Sequence, residues 1–154
     1  MKTNLLITLL TILSFVEQTS AQLTFQKTIG GTALDYGTQI QPTTDNGYIL
    51  VGTTLSFGAG GYDVYLIKLN SNGDTLWTKT YGGSNDEYGN SVKQTPDGGY
   101  IIAGNSTGFG ANGQDVYLLK TDSIGNVSWS KLFGGAGTDY GNTVLLTSDS
   151  GYLV

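Results

Sequence analysis

The chain has 154 residues, among them 24 Gly, 2 Pro, no Cys and no His, and carries a formal charge of -5 at pH 7. Without Cys there is no disulfide framework, and without thiolate or imidazole ligands structural zinc and most transition-metal sites are excluded. An acidic chain that lacks Arg and spreads its Lys along its length offers no footprint for a phosphate backbone, so nucleic acid is not an expected partner.

Residues 1–21 read as a secretory signal peptide: Lys2 is the charged start, residues 5–16 the apolar run, and Thr19-Ser20-Ala21 a small-residue cleavage site. That run falls short of the ~20 residues a bilayer span needs. No later stretch is apolar enough either, so no transmembrane span is expected after cleavage. The predicted destination is outside the cell, either secreted or on the outer-membrane exterior.

Residues 22–154 follow a 52-residue period. A shift of that length places Gly30-Gly31 on Gly82-Gly83 and Gly134-Gly135, and Tyr36-Gly37 on Tyr88-Gly89 and Tyr140-Gly141. Asp45 and Tyr48 fall on Asp97 and Tyr100, then on Asp149 and Tyr152. Of the 52 pairs between residues 25–76 and 77–128, 23 are identical. Such a period marks repeated units that bury their faces only by stacking on one another. The region divides into 22–35 as the outer strand of an incomplete unit, 36–87 as repeat 1, 88–139 as repeat 2 and 140–154 as a partial repeat 3.

In chain order, residues 23–29 match the last strand of the unit, and the complete repeat then offers four strands. The first covers 88–94 and is closed by Thr95-Pro96-Asp97-Gly98-Gly99. The second, 100–103, runs into a Gly-rich loop over 108–113. The third, Asp115–Thr121, is apolar on both faces, which predicts a strand covered on both sides. After Asp122-Ser123-Ile124-Gly125-Asn126 comes Val127–Phe133, where Ser and Lys alternate with Trp129 and Phe133 as in an outer edge strand.

Four short antiparallel strands in about 50 residues is the content of one β-propeller blade. The predicted fold class is all-β, an incomplete propeller of about two and a half blades. The repeat resembles those of secreted bacterial β-propeller proteins through Tyr81-Gly82-Gly83, Glu87-Tyr88-Gly89, Gly99-Tyr100 and Asp115-Val116-Tyr117. It is also similar to the tryptophan-docking blades of quinoprotein-type propellers, in which a Gly turn precedes a Trp by four residues, as Gly73 precedes Trp77 and Gly125 precedes Trp129. The resemblance implies that each Trp wedges against the adjacent blade, and that such proteins often end in a type IX secretion sorting domain. Since closed propellers take about 4 to 8 blades, the chain is expected to be the N-terminal fragment of a longer protein. An oligomer that completes the ring and an open stack of repeats are the alternatives.

Recurrence separates building positions from singular sites. Trp77, Trp129, Gly82, Gly83, Tyr88, Gly89, Asp97, Gly99, Tyr100, Asp115 and Tyr117 all recur at repeat positions and are read as structural. Asp35, Glu87 and Asp139 share one position, as do Asp45, Asp97 and Asp149, and only Asp86 in residues 22–154 lacks an acidic or Asn counterpart. A glycosidase needs a carboxylate pair roughly 5 to 10 Å apart, and no singular pair stands out, so no catalytic residue is assigned. Calcium is the one metal the composition leaves open, with Asn70, Asn72, Asp74 and Asp122 as oxygen donors, although a hairpin turn explains these residues better. No organic cofactor is expected: the Arg and vicinal Cys pair of quinone-dependent enzymes have no counterpart.

Ten Tyr and two Trp, flanked by Asn and Asp, could stack on pyranose rings, with seam packing as the plainer reading. The expected function is a non-catalytic binding or scaffolding surface outside the cell, with an extracellular protein or a glycan as partner. The alternative is the accessory propeller of a secreted endoglucanase-like enzyme whose catalytic module lies beyond Val154.

Overall fold

The computed structural model describes residues 26–108 and 113–154. The expected signal peptide, the first part of the expected 23–29 strand and four residues of the second Gly-rich loop therefore lie outside the described residues. Among the described residues there is no helix, and so none long and apolar enough to cross a membrane. The fold is all-β and antiparallel. β1 (Asp35–Pro42), β2 (Tyr48–Thr54), β3 (Asp63–Leu69) and β4 (Thr75–Tyr81) form a four-stranded meander. β5 (Glu87–Gln94), β6 (Tyr100–Ser106), β7 (Asp115–Thr121) and β8 (Val127–Phe133) form a second, and β9 (Leu145–Leu146) pairs with β10 (Tyr152–Leu153).

The sheets repeat each other in register as well as in sequence. Gly37 faces Gly52 across β1 and β2, Gly89 faces Gly104 across β5 and β6, and each pairing slips by one residue just after its glycine. A second slip recurs where β3 meets β4 and β7 meets β8. Each first hairpin turns through a left-handed residue, Asn46 (φ 63), Gly98 (φ 81) or Ser150 (φ 66). A recurring Asp two residues after a Thr holds that turn: Gly47 N–H donates to Asp45 Oδ1 at 3.1 Å and Gly99 N–H to Asp97 Oδ1 at 3.0 Å.

All seven residues of β3 are buried, in line with its two apolar faces, whereas β4 and β8 lie at sheet edges, β4 partly and β8 largely exposed. β6 runs to Ser106, three residues past the strand expected from its apolar run. Asn105 and Ser106 extend it because their buried polar groups are satisfied, by Gln114 and Glu87 respectively. Residues 26–29 carry no strand, which departs from the expected outer strand. Among the described residues no third strand lies beside them to complete a ladder. Ile29 nonetheless packs against Tyr65 and Ile67 of the first sheet.

The second sheet lies face to face on the first, with β5 crossing β1, β2 and β3. Their seam buries Ile49, Val51, Val64 and Leu66 against Val92, Tyr100, Ile102 and Leu119. Residues 140–154 repeat the arrangement on the second sheet, where Ile101, Ala103 and Leu118 meet Val144. Each Trp stands at a seam: Trp77 contacts Tyr100 edge-on and Trp129 contacts Tyr152, both at 6.0 Å between ring centroids. Among the described residues no buried side-chain nitrogen or oxygen lacks a hydrogen-bond partner.

Candidate functional site

Most of the charged recurring residues are occupied in tying down the turns of their own units. Buried Lys68, from β3, reaches under the first hairpin and donates to Thr43 Oγ1 (3.1 Å), Asp45 Oδ1 (3.0 Å) and the Leu69 carbonyl (3.0 Å). Lys120 repeats this with Asp97 and the Thr121 carbonyl at 2.9 and 2.8 Å. The hydroxyl of Thr43 and the ammonium of Lys68 hold the Asp45 carboxyl down at about 2, and Thr95 with Lys120 does the same for Asp97.

At the opposite end of the seam the carboxylates come in pairs. Oxygens of Asp63 and Glu87 both lie where a Cβ on Gly82 would stand, and Asp115 and Asp139 flank Gly134 in the same way. Glu87 accepts from Gly83 N–H at 2.7 Å and from Ser106 Oγ at 2.8 Å, and Asp63 accepts from Ala59 N–H at 3.0 Å. Burial, with the Glu87 charge beside it, holds the Asp63 carboxyl above its ordinary value. The pair recurs at both seams, so it belongs to the build of the unit and is no singular acid and base.

The calcium candidates spend their oxygens within their own turns. Asn70 Oδ1 accepts from the N–H of Asn72 (2.9 Å) and of Asp74 (2.8 Å). Asp74 also pairs with Lys27. Asp122 Oδ1 accepts from the N–H of Ile124 (3.0 Å) and of Asn126 (2.8 Å). Among the described residues no three carboxylates converge. A groove of about 340 Å³ runs between the turns at Asp97 and Ser150, but Thr95 and Thr147 in its walls donate to their own neighbours Asp97 and Asp149.

The seams differ where β5 and β6 meet residues 140–142, and there the second seam opens into a cleft of about 290 Å³ lined by Tyr88, Asn90, Asn105, Gln114, Tyr140 and Asn142. At the equivalent place in the first seam stand Tyr36, Thr38, Thr53, Tyr62, Tyr88 and Asn90. There Tyr62 lies over Tyr88 with ring centroids 5.4 Å apart. With Gln114 in place of Tyr62 that cover is gone. The amides keep the bonds the hydroxyls make: Thr38 Oγ1 and Asn90 Nδ2 each donate to the next unit's glycine carbonyl, and Thr53 Oγ1 and Asn105 Oδ1 each accept from that glycine's N–H. They also add capacity. Asn105 Nδ2 donates to Gln114 Oε1 at 3.1 Å, and Asn142, also in the wall, is exposed.

Two tyrosines and four amides around a shallow hollow offer an aromatic plane plus donors and acceptors, without a nucleophile or a carboxyl in the wall. Burial and the nearby Asp86 carboxylate push the Tyr88 phenol up to about 12, so it is a neutral hydrogen-bonding group at physiological pH. Recurrence singles out Tyr88 as a building position, and the structure places it in this wall as well. Asn90, Asn105, Gln114 and Asn142 escape sequence reasoning because that reasoning follows what the repeats share. Their signal is the reverse, an amide wherever repeat 1 has Thr or Tyr. Compared with known protein families and with curated proteins, the chain matches none.

Proposed function

We propose that this chain is part of an exported β-propeller whose second seam carries a non-catalytic site for a glycan. The blade reading is supported by two antiparallel four-stranded meanders of the same register, stacked face to face at a 52-residue interval. The observation that carries the function is the cleft of Tyr88, Tyr140 and four amides, opened by Gln114 where the first seam has Tyr62. A pyranose presents an apolar face to tyrosine and a ring of hydroxyls to amides, and both needs are met in this one hollow. Such shallow sites bind weakly singly and gain strength by repetition along a polymer.

Titration calorimetry against neutral oligosaccharides of β-linked glucose, mannose and N-acetylglucosamine is expected to give binding to at least one. Tyr140→Ala, which removes an exposed ring, is expected to weaken it about ten-fold. Heat with none of them, or affinity untouched by Tyr140→Ala and Gln114→Ala together, overturns the glycan reading. New reducing ends from soluble β-glucans would overturn the non-catalytic part.

A further inference from the structure

Three amides of the cleft are joined in one direction, and the backbone sets that direction. Asn90 Nδ2 donates to the Gly141 carbonyl and Asn105 Oδ1 accepts from the Gly141 N–H, each at 3.1 Å. A carbonyl only accepts and an N–H only donates, so neither asparagine can be turned over without setting like against like. Asn90 Nδ2 also donates to Asn105 Oδ1 at 3.1 Å, and Asn105 Nδ2 is left to donate to Gln114 Oε1, again at 3.1 Å. Asn105, at the centre, is buried, so the relay is held from within the fold. The same positions in repeat 1 are Thr38, Thr53 and Tyr62, whose hydroxyls can swing their protons and carry no such polarity.

The relay has two ends, and both residues that carry them line the cleft. Among the described residues Gln114 Nε2 has no acceptor and Asn90 Oδ1 has no donor. A ligand therefore meets a pure donor at one end and a pure acceptor at the other. A sugar hydroxyl serves with either and gains nothing from the polarity, whereas a carbonyl oxygen, which only accepts, is matched to the Gln114 end alone. A carboxylate would also accept there. No cation lines the cleft, however, Asp86 stands 3.4 Å from the Tyr88 hydroxyl, and the chain carries a charge of -5, so an anion is disfavoured. On a sugar the neutral carbonyl that remains is that of an acetamido group.

We propose that the cleft selects N-acetylated sugars, with Gln114 Nε2 donating to the acetyl carbonyl and Asn90 Oδ1 accepting from a hydroxyl or N–H of the same ligand. The selection rests on the glycan reading above and makes Gln114 its specificity-determining residue. Asn105 acts through Gln114, as the positioning residue that keeps the donor end free.

Titration calorimetry at pH 7 compares the trimer of β-linked N-acetylglucosamine with the trimer of glucose in the same linkage, which differs only in lacking the acetamido groups. The N-acetylated trimer is expected to bind about ten-fold more tightly, the effect of one added hydrogen bond. Gln114→Glu keeps an acceptor for Asn105 and turns the other end from donor to acceptor, so the ratio of affinities is expected to fall to one or below. Gln114→Met, of similar size and without a donor, is expected to lose the preference without adding a charge. Equal affinity for the two trimers, tighter binding of the glucose trimer, binding to mannose oligosaccharides alone, or a preference that survives both substitutions overturns the selection and leaves the glycan reading standing. Heat with none of the three sugars overturns the glycan reading itself, and the selection with it.

Discussion

Lys68 and Lys120 are buried ammonium groups whose charge is met by carboxylates that remain more than half exposed. The lysine stem packs in the sheet while its tip ties the hairpin, so one residue serves both core and turn. Asp45 and Asp97 have folded values lowered from 3.8 to about 2. Their stabilisation is therefore complete above about 4 and lost as the pH falls toward 2. Thermal melts between pH 7 and pH 2 are expected to show this loss, reduced by salt because the carboxylates face water. Lys120→Met should lessen the acid sensitivity, with Thr95 still bonded to Asp97, and cost about 2 kcal/mol at pH 7. At this scale the Thr-x-Asp-x-Gly turn is legible, since its residues recur. The buried lysine is not, because a Lys in a strand reads as a solvent-facing charge until its partner is placed beneath it.

The strands were the most legible elements, and the seam between them the least. Period-2 patterning, Gly-rich punctuation and the Trp-bearing edge strand locate β5, β7 and β8, and only β6 outruns its apolar run, because hydrogen bonding lets Asn105 and Ser106 be buried. What no pattern states is which sheet face meets which. That depends on Gly89, whose missing side chain lets β5 come to within contact of the Gly52 carbonyl and Val51. Gly89→Val is expected to force the sheets apart and cost about 3 kcal/mol or more, read as a lowered midpoint in urea. A midpoint within 0.5 kcal/mol of the parent, roughly the effect of an ordinary surface change, would show that the seam is looser than drawn.

Over the whole molecule, the same unit is laid down at a 52-residue interval and varied at the positions between the shared ones. The cleft arises from such variation: an identical scaffold holds Tyr62 across one seam and Gln114 across the next, so one is shut and the other open. Sequence reasoning built on recurrence finds the scaffold and passes over the departures from it, which is where a binding site in a repeat protein is expected to lie.

The placement of the two tryptophans gives the protein a built-in pair of fluorophores, one to each seam. Trp77 lies against Tyr100, and Trp129 lies against Tyr152 with Lys131 Nζ 5.9 Å from its ring. Replacing either by Phe leaves emission that reports on a single junction, so denaturant titrations of the two variants can be compared directly. If the stack melts as one cooperative body, both report the same midpoint. Separate midpoints, with the Trp129 signal red-shifting first, would identify residues 140–154 as a leaf that lifts from the rest, and the free energy between the two curves would measure how strongly one unit grips the next.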